Sequence, residues 1–139
     1  MKRREFIEKA GYGAAGIAAA PVTKATSNAK EPVVLRRYDM EVEVYEVGKK
    51  TRCHKLGEKF TYPQDMGKIC NFLASALDPV LTSMNAGAIY PWKYAGTPYE
   101  KVIDPDGVTT EYIRCPDPSE AGIVVKITRT FKSKRTVEL

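Results

Sequence analysis

Ile69-Cys70-Asn71-Phe72-Leu73-Ala74-Ser75-Ala76-Leu77-Asp78-Pro79-Val80-Leu81-Thr82-Ser83-Met84 is the stretch that decides the fold. Its apolar residues, Ile69, Phe72, Leu73, Ala76, Leu77, Val80, Leu81 and Met84, recur at the spacing that gathers side chains on one side of an α-helix. Such a stripe needs an apolar partner to cover it. Pro79 has no N–H to give a helix interior, and its ring crowds the turn before it. The stretch is therefore predicted as a helix, a kink and a short second helix, with Asp78 capping the new turn and Pro79 at its first position. Gly87 ends it.

On both sides of this stripe the period changes to two. Met40-Glu41-Val42-Glu43-Val44-Tyr45 alternates apolar with charged residues, the mark of a half-buried strand. Gly48-Lys49-Lys50 turns the chain, and Leu56 to Tyr62 reads as a second short strand stopped by Pro63 and able to pair with the first. Later, Thr110 to Cys115 and Gly122 to Phe131 read as two more strands, the second with Ile123, Val125 and Ile127 on one face. The turn-rich link Pro116 to Ala121 suits an antiparallel hairpin. The expected fold is α+β, a small antiparallel sheet covered on one face by the kinked helical segment.

The N-terminus carries a different kind of signal. Lys2-Arg3-Arg4-Glu5-Phe6 precedes a mild apolar run, Ala14 to Ala20, and then Pro21, the ordered pattern of a twin-arginine (Tat) export leader in which Arg3 and Arg4 are the signal. The apolar run is well short of the ~20 residues that span a bilayer, so no stable membrane span is expected after processing. A substrate of the Tat translocase crosses the membrane folded, often with a cofactor or a partner that holds one, which places the expected work in the periplasm or another extracytoplasmic space. Gly11-Tyr12-Gly13-Ala14-Ala15-Gly16 matches a dinucleotide fingerprint letter for letter, yet lacks the preceding strand and surrounding βαβ unit that give the motif its chemistry. The expected organisation is a leader over 1–25, a linker and lead-in over 26–38, one α+β domain over 39–131 and a basic tail over 132–139.

Charge argues against a nucleic-acid partner. The chain has 22 Lys+Arg and 17 Asp+Glu, and residues 1–25 hold five of the bases and two of the acids. The remaining 17 and 15 nearly balance. The cluster Lys126, Arg129, Lys132, Lys134 and Arg135 is expected to be a solvated strand edge and tail.

Chemistry-bearing residues are few. Cys53, His54, Cys70 and Cys115 are all the Cys and His of the chain, and a set of three thiolates and an imidazole suffices for zinc or another soft transition metal. Their spacing contains no C-x-x-C knuckle, and Cys53 and His54 would face opposite ways in a strand, so both reach one metal only from a turn. Cys70 falls at the start of the predicted helix, where the dipole favours negative charge, and Cys115 precedes Pro116 at a strand end. A structural disulfide with one free thiol, and buried inert thiols, are the competing readings. Tyr90-Pro91-Trp92-Lys93-Tyr94 adds three aromatics able to form a wall of a ligand pocket or to pack over a sheet edge.

The run Cys53-His54-Lys55-Leu56-Gly57-Glu58-Lys59-Phe60, followed by Ile69-Cys70, Leu77-Asp78-Pro79, Gly87, Pro91-Trp92 and Cys115-Pro116-Asp117, resembles a conserved, uncharacterised family of small bacterial and archaeal Cys-containing domains. In that family a cysteine precedes a Gly-His-Lys-x-Gly-Asp/Glu stretch by a few residues, whereas here Cys53 abuts His54. The resemblance implies no activity. The leader and the Cys/His group together lead to the expectation of an exported accessory or small subunit of a periplasmic redox complex, its Cys/His group either binding a metal or stabilising the fold, with a larger redox enzyme as partner. A small metal- or thiol-dependent enzyme and a small-molecule-binding domain are the alternatives.

Overall fold

The computed structural model describes residues 31–138. The twin-arginine stretch, the Gly11 to Gly16 run and residues 26–30 of the expected linker lie outside them.

Five elements follow in the order β1 (Val33–Val47), β2 (Lys59–Tyr62), α1 (Asn71–Asn85), β3 (Val108–Arg114) and β4 (Ile123–Val137). A 3-10 turn over Met66–Lys68 leads into α1. The strands form one antiparallel sheet in the order β2-β1-β4-β3, so the domain is α+β. Both expected strand pairs are present: β1 with β2, and β3 with β4.

The sequence gives no direct sign of the pair at the centre. β1 and β4 run together from Val47↔Ile123 to Val33↔Val137, with register shifts at Arg37/Tyr38 and Val44/Glu46. Strand structure therefore takes in residues 33–38, expected as lead-in, and residues 132–137, expected as basic tail. These flanks bury little and alternate weakly, so they carry no period-two signal. Ladder hydrogen bonds and extended-favouring residues such as Val33, Val34, Thr136 and Val137 hold them. β2 is shorter than expected, because Lys55 to Glu58 form a turn with Gly57 at φ 80 and Leu56 pointing into solvent.

One hydrophobic cluster unites the elements. Met40, Val42 and Val44 from β1, Phe60 from β2, and Ile123, Val125 and Ile127 from β4 meet Leu73, Leu77, Leu81 and Met84 from α1. Burying each large aliphatic side chain contributes roughly 1.5–3 kcal/mol. The buried stripe of α1 is narrower than the sequence suggests, since Phe72 is 63% exposed. α1 is one helix over Asn71–Asn85 with Pro79 inside it, not two helices with a fresh start capped by Asp78.

Arg129 departs from the expected solvated cluster. It is 2% exposed, and its guanidinium donates to the carbonyls of Met84 (2.7 Å) and Ala88 (2.9 Å) at the end of α1, while packing 4.4 Å over the Tyr38 ring. A buried cation is tolerable there because it meets two carbonyls at the negative end of the helix dipole.

Candidate functional site: three thiols around one hollow

Three separate segments bring Cys53, Cys70 and Cys115 together. Cys53 lies on the β1–β2 loop, Cys70 is the N-cap residue of α1, and Cys115 follows the last residue of β3. All three line one surface hollow of about 240 Å³, together with Lys50, Arg52 and Phe72. None is in a disulfide; Cys53 is exposed, Cys70 half-buried and Cys115 buried.

The loop that holds Cys53 is stitched to the β3–β4 turn. Gly48 N–H donates to the Gly122 carbonyl (3.1 Å), Lys50 N–H to Glu120 (3.0 Å) and the Thr51 hydroxyl to Ala121 (2.9 Å). The approach is close enough that a Cβ on Gly48 would collide with the Glu120 carbonyl, which makes this glycine a packing requirement. Cys115 sits at the other end of the same stitching, its N–H donating to Ile123 at 2.8 Å.

His54 does a different job from its neighbour. Its side chain is 4% exposed, with the ring edge-on to Phe60. Nε2 accepts the Cys70 backbone N–H at 3.1 Å, so the hydrogen-bond network assigns the ring proton to Nδ1, which faces Glu58 Oε2 at 3.3 Å. Glu58 also accepts the Lys55 N–H at 3.0 Å. That bond first, and His54 second, hold the Glu58 carboxyl below its ordinary value. Both imidazole nitrogens are thus engaged within the protein. His54 is expected as a fourth ligand beside the cysteines; in this structure its ring instead links the Cys53 loop to the start of α1 through the Cys70 N–H.

Electrostatics tie the thiols together. Burial pushes the Cys53 thiol up from its ordinary value, and charge on Cys70, then on Cys115, pushes the same way. A thiolate on Cys53 is thus disfavoured by its burial and by charge on the other two thiols. Among the described residues, no group of three or more His, Cys, Asp or Glu side chains is already arranged to hold a metal ion.

The aromatic segment lies elsewhere. Tyr90, Trp92 and Tyr94 do come together, lining a hollow of about 170 Å³ with Glu111, Tyr112 and Ile113 of the edge strand β3. Tyr90 hydrogen-bonds Ser83 at 2.6 Å, whereas Trp92 and Tyr94 are largely exposed. Beneath them Lys101 and Glu111 form a buried ion pair at 2.6 Å, and Lys101 also donates to the Tyr90 carbonyl (3.2 Å). Sequence reading missed this pair, because an isolated Lys and Glu ten residues apart carry no periodic signal.

The chain matches no protein-family model, no curated protein and no solved structure. Among the described residues, no helix is long and apolar enough to cross a membrane.

Proposed function

We propose that the protein is an accessory subunit of an exported redox complex and that its three thiols are its working site, which closes on a soft metal ion such as zinc. The observation that carries this reading is the convergence of Cys53, Cys70 and Cys115, from three distant segments, on one hollow with two basic side chains. The raised Cys53 thiol supports it too, since a bound cation would favour its thiolate. Cys53, on an exposed loop, is the ligand that would move inward to complete the set.

The same reading keeps the Tat leader, with Arg3 and Arg4 as its signal, the extracytoplasmic location and membership of the uncharacterised Cys-containing family. It takes α1 as the cover of one sheet face, bent where Pro79 removes a backbone donor. Support for that cover is the shared cluster of Leu73, Leu77 and Leu81 with Val42, Val44 and Val125.

A second reading is favoured by one observation. Cys53 and Cys70 line the same hollow, and charge on Cys70 ranks next after burial among the causes that raise the Cys53 thiol, so a disulfide in an oxidising space would join these two and leave Cys115 buried. Purification from the native host separates the readings. The proposal expects the protein outside the cytoplasm, co-purifying with a larger oxidoreductase, carrying a soft metal and retained inside when Arg3 and Arg4 are both changed to Lys. A metal-free protein with a fixed Cys53–Cys70 disulfide supports the second reading, and export of the Lys-Lys form removes the leader from the account.

A further inference from the structure

Tyr94 has its backbone at φ 50, in the left-handed region that a bulky residue enters at a cost. The surrounding loop over-determines that pose. The Tyr94 carbonyl accepts from the Thr97 N–H (3.2 Å) and hydroxyl (2.7 Å), the Lys101 N–H donates to the Lys93 carbonyl (2.9 Å), and the buried Lys101 ammonium sits 5.2 Å from the Tyr94 ring centre. What the strained conformation achieves is a wall: Tyr94 stands between the hollow it shares with Trp92 and a second, larger one of about 250 Å³.

This larger hollow is lined by Tyr94, Thr97, Tyr99, Tyr112, Arg114 and Val124. It lies on the face of the sheet turned away from the core. Tyr112 and Arg114 alternate along β3 and its end with Ile113 and Cys115, which pack into the hydrophobic cluster. The rings of Tyr99 and Tyr112 meet edge to face at 5.6 Å, and both touch Tyr45 in the same manner.

The polar groups decide what can bind. The Tyr99 hydroxyl donates to Glu46 at 2.5 Å and the Tyr45 hydroxyl to the Pro98 carbonyl at 2.7 Å. The Thr97 hydroxyl donates to Tyr94 and accepts the Tyr99 N–H at 3.2 Å. These three hydroxyls are engaged within the protein, so the hollow offers flat aromatic surface, the phenol groups of Tyr94 and Tyr112 and one guanidinium. Arg114 takes part in no ion pair among the described residues. A sugar would find few hydroxyl partners, and a dinucleotide exceeds the volume. A neutral ring would make no use of the exposed Arg114 guanidinium.

We propose that this hollow binds a small planar aromatic carboxylate, its ring held among Tyr94, Tyr99 and Tyr112 and its carboxylate on the fork of Arg114. The site is independent of the thiols, and its failure would leave the reading of the thiol hollow unchanged.

Benzoate is the probe, titrated into the reduced full-length chain with backbone amide resonances as the readout. Acetate and benzyl alcohol serve as the acid without a ring and the ring without a charge. Benzoate should shift the amides of residues 94–99 and 112–114 saturably, with a Kd of about a millimolar or tighter. Arg114→Met should weaken it about tenfold or more, because a charge-assisted bidentate contact is lost. Tyr94→Gly removes the ring at a position whose backbone suits glycine, so it should abolish binding while the chain stays folded. Benzyl alcohol binding as tightly as benzoate, an unchanged Kd in Arg114→Met, or no saturable shift with benzoate would each overturn the proposal.

Discussion

The Nε2 of His54 accepts the backbone N–H of Cys70 at 3.1 Å, across sixteen residues of sequence. This one bond joins the loop that carries Cys53 to the residue that caps α1, and it engages the imidazole that lies beside the three thiols. Removing the ring orphans the Cys70 N–H and takes one of two partners from Glu58. His54→Ala should cost about 1–3 kcal/mol in urea unfolding at unchanged m-value, the usual consequence of leaving a buried polar group unsatisfied. A loss under about 0.5 kcal/mol, the level of a surface change, would show that the bond does not fasten the loop.

Acid should loosen the same fastening. Glu58 is held below its ordinary carboxyl value, mainly by the Lys55 N–H and then by His54. A depressed folded value means that folding favours the charged form. Its contribution is therefore complete above the ordinary glutamate value of about 4.3 and is lost as pH falls through the lower folded value. Asp65 and Asp117 are depressed as well, so the informative quantity is the difference between wild type and Glu58→Gln. Wild type should lose its advantage over the variant as pH drops through that acid range; parallel stability curves would contradict the assignment.

The Lys101–Glu111 pair should behave as a buried unit. Lys101→Met alone leaves the Glu111 carboxylate buried without its partner and should cost about 3–5 kcal/mol. Adding Glu111→Leu should restore much of that loss, because an apolar pair of similar volume needs no counter-charge. A double variant whose destabilisation equals the sum of the Lys101→Met and Glu111→Leu losses, measured by thermal unfolding, would show that the two side chains are not coupled.

Two helix positions separate core from surface. Leu77 is fully buried and Phe72 is 63% exposed on the same element. Leu77→Ala should cost roughly 2–5 kcal/mol, while Phe72→Ala stays within about 0.5 kcal/mol. Comparable losses at both would overturn the packing of α1 described above.

Much of this fold is legible in the chain because burial writes itself into periodicity. The helical spacing of Leu73, Leu77, Leu81 and Met84, and the alternation of Met40, Val42 and Val44 and of Ile123, Val125 and Ile127, each mark one buried face. What the sequence hides is whatever burial does not govern. Residues 33–37 and 133–137 pair through their backbones with little apolar burial, so charge and turn signals read as linker and tail. Arg129 looks like a surface base because its acceptors are carbonyls, which have no letter of their own. The candidate site divides the same way. Turn residues and strand ends allow Cys53, Cys70 and Cys115 to meet, and they line one hollow; the engagement of both His54 nitrogens depends on a backbone N–H that no spacing rule reveals.

The central claim is that three thiols from three segments act together on one soft ion. Zinc titration of the fully reduced, full-length protein, repeated with Cys53→Ser, Cys70→Ser and Cys115→Ser, tests it most directly. The account predicts one ion per chain, proton release on binding, and a sharp loss of affinity in each of the three variants, since every thiolate supplies a bond to the metal. Zinc binding that is absent, or that survives each single substitution unchanged while all three thiols of the native protein alkylate independently, would contradict it.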